Sequence, residues 1–169
     1  MHGFQLWINL PAAEKLKDPA YREIPAATIP VATLPNGGTV KAIAGHAEVA
    51  EYTLVGAVSG ISTEPLYLDV RLAPGTDLAV PVPLGHRALV YLYGGTLTWD
   101  DRTQGVRQMA VLGDGDGLEL RAGPEGAQAL VLAARPLGEP IAHSGPFVMN
   151  TREEIDQAIR DYQEGRLVT

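Results

Sequence analysis

Residues 65–99 read PLYLDVRLAPGTDLAVPVPLGHRALVYLYGGTLTW, and this stretch decides the fold. PLYLDVRL (65–72) reads as a strand, APGT (73–76) as a turn, and DLAVPVP (77–83) as an extended run. LGH (84–86) is a second turn, and RALVYLYGGTLTW (87–99) is a long strand broken at Gly94-Gly95. The pattern continues downstream. DDRTQG (100–105) predicts a hairpin loop, VRQMAVL (106–112) a strand, GDGDG (113–117) a turn, LELRA (118–122) a strand, GPEGA (123–127) a turn and QALVLAARP (128–136) a last strand. Strands recur about every ten residues with Gly or Pro between them, which marks a sandwich or barrel and not a βαβ unit.

Upstream, TVKAIA (39–44) alternates as a strand, and Asn36-Gly37-Gly38 before it signals a tight turn. Prolines at 25, 30 and 35 remove ladder donors and predict an extended edge segment. Residues 45–64, rich in Gly and small side chains, predict a loop across the mouth of a barrel. At the start, Phe4, Leu6, Ile8 and Leu10 alternate with Gln5, Trp7 and Asn9, which predicts a half-buried strand ended by Pro11. AAEKLKD (12–18) predicts a short helical turn. The C-terminal stretch changes character: Thr151 with Glu154 fits a capping box, with Asn150 the cap if the helix starts one residue earlier, Glu153 and Glu154 suit a helix N-terminus, and Ile155, Ile159 and Tyr162 recur at helical spacing. The expectation is an all-β barrel over residues 1–149, with an amphipathic helix over 150–165 docked on it.

Composition narrows the function classes. The 169 residues include 19 glycines and 13 prolines, as expected for many short strands joined by turns. There is no cysteine, which removes disulfides, thiolate metal sites and thiol nucleophiles together. The net charge of −7 and scattered basic residues argue against a nucleic-acid partner. Without a signal-peptide pattern or a long apolar run, the expectation is a cytoplasmic protein away from any membrane.

The order strand, PG turn, strand, GH turn, long strand and Gly-Gly resembles the first half of a cupin, a small jelly-roll-like β-barrel. LGDGDGLELRAGPEGAQALVLAARP (112–136) resembles the second half. More narrowly, HGFQLWINLP, LGDGDGLELRAGPEG, and RPLGEP followed by GPFVMNTREEIDQAIRDYQEG resemble the C-terminal half of pirin family proteins, from His2 to about Gly165. Pirins carry two facing cupin barrels. The metal site, and the quercetin-oxidising activity ascribed to some members, belong to the N-terminal barrel. The resemblance therefore implies a second barrel without the first.

A metal-dependent cupin takes two His one residue apart and a Glu from its first motif, and one His from its second. Placed by the resemblance, the Glu position falls near Arg87, the His pair on Val80 and Val82 or on Pro81 and Pro83, and the last His on Gly126. None of these side chains ligates a metal, so the expectation is no cofactor. The alternative is a relocated site for iron or another divalent transition metal, built from His46, Glu48 and His86. Asp114 and Asp116 in GDGDG offer too few oxygens for calcium and read as a turn. For a ligand pocket, Tyr91 and Tyr93 fall on one strand face and are expected to line the barrel interior with Arg87 and Arg121, and His86 lies at the rim. His143 belongs to the connection before the helix.

These residues support a metal-free binding or interaction module with a small ligand in the barrel. Its partner is expected to be a second copy, forming a homodimer, or a separate N-terminal-type cupin chain. Two enzymatic alternatives stand beside it. One is a subunit of a split pirin whose quercetin 2,3-dioxygenase-type activity needs a metal-bearing partner. The other is a metal-independent cupin-class isomerase using His86 or Glu48.

Overall fold

Two long strands organise the computed structural model, which describes residues 3–99 and 102–167. The chain divides into two units, residues 23–136 and residues 1–22 with 137–169.

In the unit of residues 23–136 the strands are β1 (Val31–Thr33), β2 (Thr39–Ala44), β3 (His46–Val49), β4 (Tyr52–Val55), β5 (Leu66–Leu72), β6 (Asp77–Pro81), β7 (Arg87–Trp99), β8 (Arg102–Gln104), β9 (Met109–Val111) and β10 (Gly117–Ala134). The main sheet runs β1-β2-β5-β10-β7-β8, with β6 also on β10 and β9 also on β7, while β3 and β4 form a hairpin. All named pairs are antiparallel. β10 changes partner along its length: Gly117–Arg121 pair with β6, and Ala127–Ala133 pair with β5. Its other edge follows β7, with register shifts between Ala122 and Ala127 and between Gln128 and Ala129. One pair of long strands thus serves both layers of the barrel, the jelly-roll solution to closing a sheet on its own apolar face.

That face is aliphatic. Val40, Leu68, Val70, Val90 and Leu92 from one layer meet Leu78, Val80, Leu97, Leu118 and Leu120 from the other in one buried cluster. β5 shows how the sequence sets this up: Leu66, Leu68, Val70 and Leu72 are buried while Tyr67, Asp69 and Arg71 point the other way.

Several expectations are corrected. The GPEGA stretch is no chain reversal; it lies inside the continuous β10 as an irregular segment against β7. Gly126, at φ 78, sits where a Cβ would lie 2.6 Å from the Leu72 carbonyl oxygen, so the backbones approach at a spot only glycine fits. β7 likewise runs unbroken through Gly94-Gly95. Residues 46–55 form the β3–β4 hairpin, so the loop expected over 45–64 is confined to the residues after Val55. Of the hairpin loop expected over 100–105, Asp100 and Asp101 lie outside the described residues, and Arg102–Gln104 form β8. The proline-marked edge is as expected, because β1 stands at the end of the sheet.

The second unit holds the hairpin of β11 (Ala142–Ser144) and β12 (Phe147–Met149), followed by α1 (Arg152–Gln163). The predicted capping box is present: Glu154 N–H donates to Thr151 Oγ1 at 3.2 Å, and Glu154 Oε2 accepts from Thr151 N–H at 2.8 Å. Ile155 and Ala158 are the buried residues of α1, and Tyr162 is largely exposed. Residues 3–11 form no strand. Phe4, Leu6 and Ile8, the expected buried set, are as exposed as one another at 41%, and Trp7 reaches 70%. Alternation alone makes no strand without a neighbour to complete the ladder. Polar bonds join the residues around its end to the later stretch: Ala12 N–H donates to Glu139 Oε2 at 2.8 Å, and Lys15 Nζ donates to Asn9 Oδ1 and to the Val148 carbonyl.

Candidate functional site

The turn Pro83-Leu84-Gly85-His86 joins β6 to β7. His86 N–H donates to the Pro83 carbonyl at 3.1 Å, and Gly85 takes φ 82, the positive angle the third residue of such a turn requires. The turn delivers the His86 side chain, 6% exposed, to the wall of a cavity of about 430 Å³. The loop after β4 supplies Val58, Ile61 and Glu64 to the same cavity, β5 supplies Leu66 and β3 supplies His46, so the lining is mostly apolar with a few polar groups.

That loop is held from several directions. Val58 N–H donates to the Ile43 carbonyl at 2.9 Å, and Glu64 N–H donates to the Ile61 carbonyl at 3.0 Å. Arg135, just beyond β10, donates from its backbone to the Thr63 carbonyl at 2.9 Å, and from Nη2 to the Ser62 carbonyl at 2.8 Å and to Glu64 Oε1 at 2.9 Å. Glu64 takes φ 49, a left-handed conformation uncommon for a non-glycine residue. Its other carboxylate oxygen, Oε2, stands 4.0 Å from His86 Nε2. Two polar atoms in this neighbourhood, Thr63 Oγ1 and His86 Nδ1, are buried without a protein partner among the described residues. A group left so costs about 1–3 kcal/mol, which makes the pair conspicuous in an otherwise apolar setting.

The structure separates the pocket residues expected from sequence. His86 lines the cavity, but Arg87 is exposed at the start of β7. Tyr91 and Tyr93 do not line the barrel interior. Ala88, Val90 and Leu92 take the core-facing positions, and period two then puts both tyrosines on the outer face. There Tyr93 Oη donates to Asp69 Oδ1 at 2.5 Å. Burial, reinforced by that bond to Asp69, pushes the Tyr93 phenol up to about 12, and burial with the Asp69 charge raises Tyr67 as well. Arg121 is not interior either. It is exposed, its Nε donates to Asp77 Oδ1 at 3.0 Å, and both line an open polar groove beside Thr98 and Glu119.

The alternative metal set is likewise divided. His46 Nε2 lies 3.8 Å from Glu48 Oε1, both largely exposed, and Glu48 is not part of the cavity wall that carries His86. Among the described residues no group of three or more His, Asp or Glu side chains converges as a metal shell would. At the positions where the resemblance places a cupin metal site, Val80 and Val82 are buried in the core, Pro81, Pro83 and Arg87 are exposed, and Gly126 has no side chain, so none offers a metal ligand. Glu64 and Thr63 escaped sequence reasoning, because only the fold brings the end of one loop, a turn and Arg135 together.

The pirin C-terminal cupin domain model matches residues 67–168. The chain belongs to the pirin family. A pirin-like protein of Caulobacter vibrioides is 40% identical over 166 residues, spanning 98% of this chain and 59% of its own length. The pirin of Homo sapiens is 37% identical over 172 residues, 98% of this chain and 57% of its own. Among solved structures, a quercetin 2,3-dioxygenase from Acinetobacter baumannii superposes with a TM-score of 0.85 at 35% identity, over 95% of this chain and 55% of that one. The pirin-family chain thus spans little more than half the length of the relatives it matches, with the cupin fold expected from sequence. No helix among the described residues is long and apolar enough to cross a membrane.

Proposed function

We propose that this pirin-family barrel works as a metal-free binding and interaction module, holding a small molecule in the cavity beside His86. The observation that carries the reading is the buried imidazole, with one nitrogen unpartnered, set in a mostly apolar cavity of about 430 Å³. Convergent polar atoms in an apolar concavity are the usual composition of a small-molecule site. The metal-free part is supported by Val, Pro, Arg and Gly at the positions where the resemblance places the cupin ligands. A cytoplasmic setting fits the cysteine-free chain. For a partner, the reading takes a second copy of the chain or a separate metal-bearing cupin.

The test is native mass spectrometry of protein purified after growth with iron, manganese, nickel and zinc supplied. The expected result is a dimer without bound metal. One equivalent of transition metal per chain overturns the reading.

A second reading is favoured by the share of its relatives that the chain spans, 59% of the Caulobacter protein. In it the chain is one part of a two-barrel dioxygenase. Quercetin turnover that appears only when a metal-bearing cupin chain is added would establish that version.

A further inference from the structure

We propose that His86 and Glu64 together grip the hydroxyl group of an uncharged ligand whose body is apolar; this rests on reading the cavity as a binding site. The two oxygens of Glu64 have different tasks. Oε1 accepts from Arg135 at 2.9 Å, which fixes the carboxylate and offsets its charge, and Oε2 is turned toward His86 Nε2 at 4.0 Å. That separation is too long for a direct hydrogen bond, yet an oxygen about 2.9 Å from both atoms fits between them off the line. The facing carboxylate favours the imidazole tautomer with its proton on Nε2. The guest atom must then accept from Nε2–H and donate to Oε2.

A hydroxyl is the small group that does both. An ether or a carboxylate only accepts, and an ammonium only donates. Charge selects in the same direction. An anion meets the Glu64 carboxylate, and a cation competes with the Arg135 guanidinium already seated there. Val58, Ile61 and Leu66 offer apolar contact to the rest of the ligand. The imidazole is buried, whereas the Glu64 side chain is 65% exposed at the cavity mouth and is steadied by its bond to Arg135 and by the bonds of Arg135 to its loop. A pre-set pair gives up little freedom on binding.

The experiment uses cyclohexanol and cyclohexyl methyl ether as probes, titrated into the whole chain. Binding is followed by the methyl resonances of Val58, Ile61 and Leu66 and by the His86 ring nitrogens. The alcohol should bind about tenfold tighter than the ether, the worth of a hydrogen bond to a charged acceptor, and should shift the His86 nitrogens. His86→Phe should erase the preference. Glu64→Asn, which suits the left-handed backbone and cannot reach the guest, should erase it too, and the methyl spectrum reports whether each variant stays folded. Equal binding of alcohol and ether at the cavity overturns the hydroxyl grip and leaves the cavity a binding site. Absence of binding by either probe overturns both.

Discussion

Gly126→Ala tests the crossing of β10 over β5 that the barrel depends on, and Gly60→Ala is its matched control. Both glycines have φ 78, but a Cβ at Gly60 meets nothing within 4 Å, whereas at Gly126 it falls 2.6 Å from the Leu72 carbonyl oxygen. The left-handed backbone costs an alanine about 1–2 kcal/mol, of which the stiffer unfolded chain returns about 0.4–1 kcal/mol. That balance, near 1 kcal/mol, applies to both variants. At Gly126 the oxygen belongs to the last residue of β5, whose Cα pairs with Ala127, so relief of the contact pries open the β5–β10 ladder. Forced displacement of packed structure adds about 1–3 kcal/mol. The expectation is therefore a loss of about 3 kcal/mol for Gly126→Ala against about 1 kcal/mol for Gly60→Ala, read from urea unfolding midpoints at unchanged slope. In a chain of this size the gap of about 2 kcal/mol corresponds to roughly 4–8 °C in Tm. Equal losses within about 0.5 kcal/mol would show that the backbone at Gly126 yields freely and that the Leu72 carbonyl sets no limit there.

The Tyr93 phenol, raised to about 12 in the folded chain from its ordinary value near 10, makes stability fall with alkali. Its contribution is fully present below pH 10, where both states hold the proton, and is lost as pH rises through 12; urea midpoints should drop across that window, and Tyr93→Phe should flatten the drop. Thr151→Ala removes the side-chain acceptor for Glu154 N–H and should weaken α1 by about 1 kcal/mol, seen as faster amide exchange in its first turn. Gln104 is buried, accepts from Trp99 Nε1 at 2.9 Å and donates to the Val90 and Gln108 carbonyls. Gln104→Leu should cost about 1–2 kcal/mol in thermal unfolding, because the buried Val90 carbonyl loses its donor while Trp99 Nε1 and the Gln108 carbonyl, only part-buried, can turn to water.

Strand existence was legible wherever short-range pattern and punctuation agreed. Thr39–Ala44 is a strand as its alternation predicts, β5 covers Leu66–Leu72 within the PLYLDVRL stretch, and α1 begins at its capping box. The failures share a cause. Residues 4–10 alternate as cleanly as β5 does, but β5 has β2 and β10 on its two sides, and residues 3–11 pair with no strand among the described residues. GPEG has the composition of a turn, yet it lies within β10 because the chain pairs with β7 on both sides of the irregularity, at Ala122 and again at Ala127. Tyr91 and Tyr93 share a face, as period two requires, but periodicity does not say which of the two faces looks inward.

The all-β class, the family and the helix cap were therefore already readable in the residues. Each of these follows from residue identity or from patterns a few residues long. The tertiary structure alone decided the facing of β7, the partner change along β10 and the meeting of His86 with Glu64. Those depend on contacts between distant residues: the aliphatic layers choose the inner face by burying Val90 and Leu92, and Arg135 anchors the loop that sets Glu64 opposite the His86 turn.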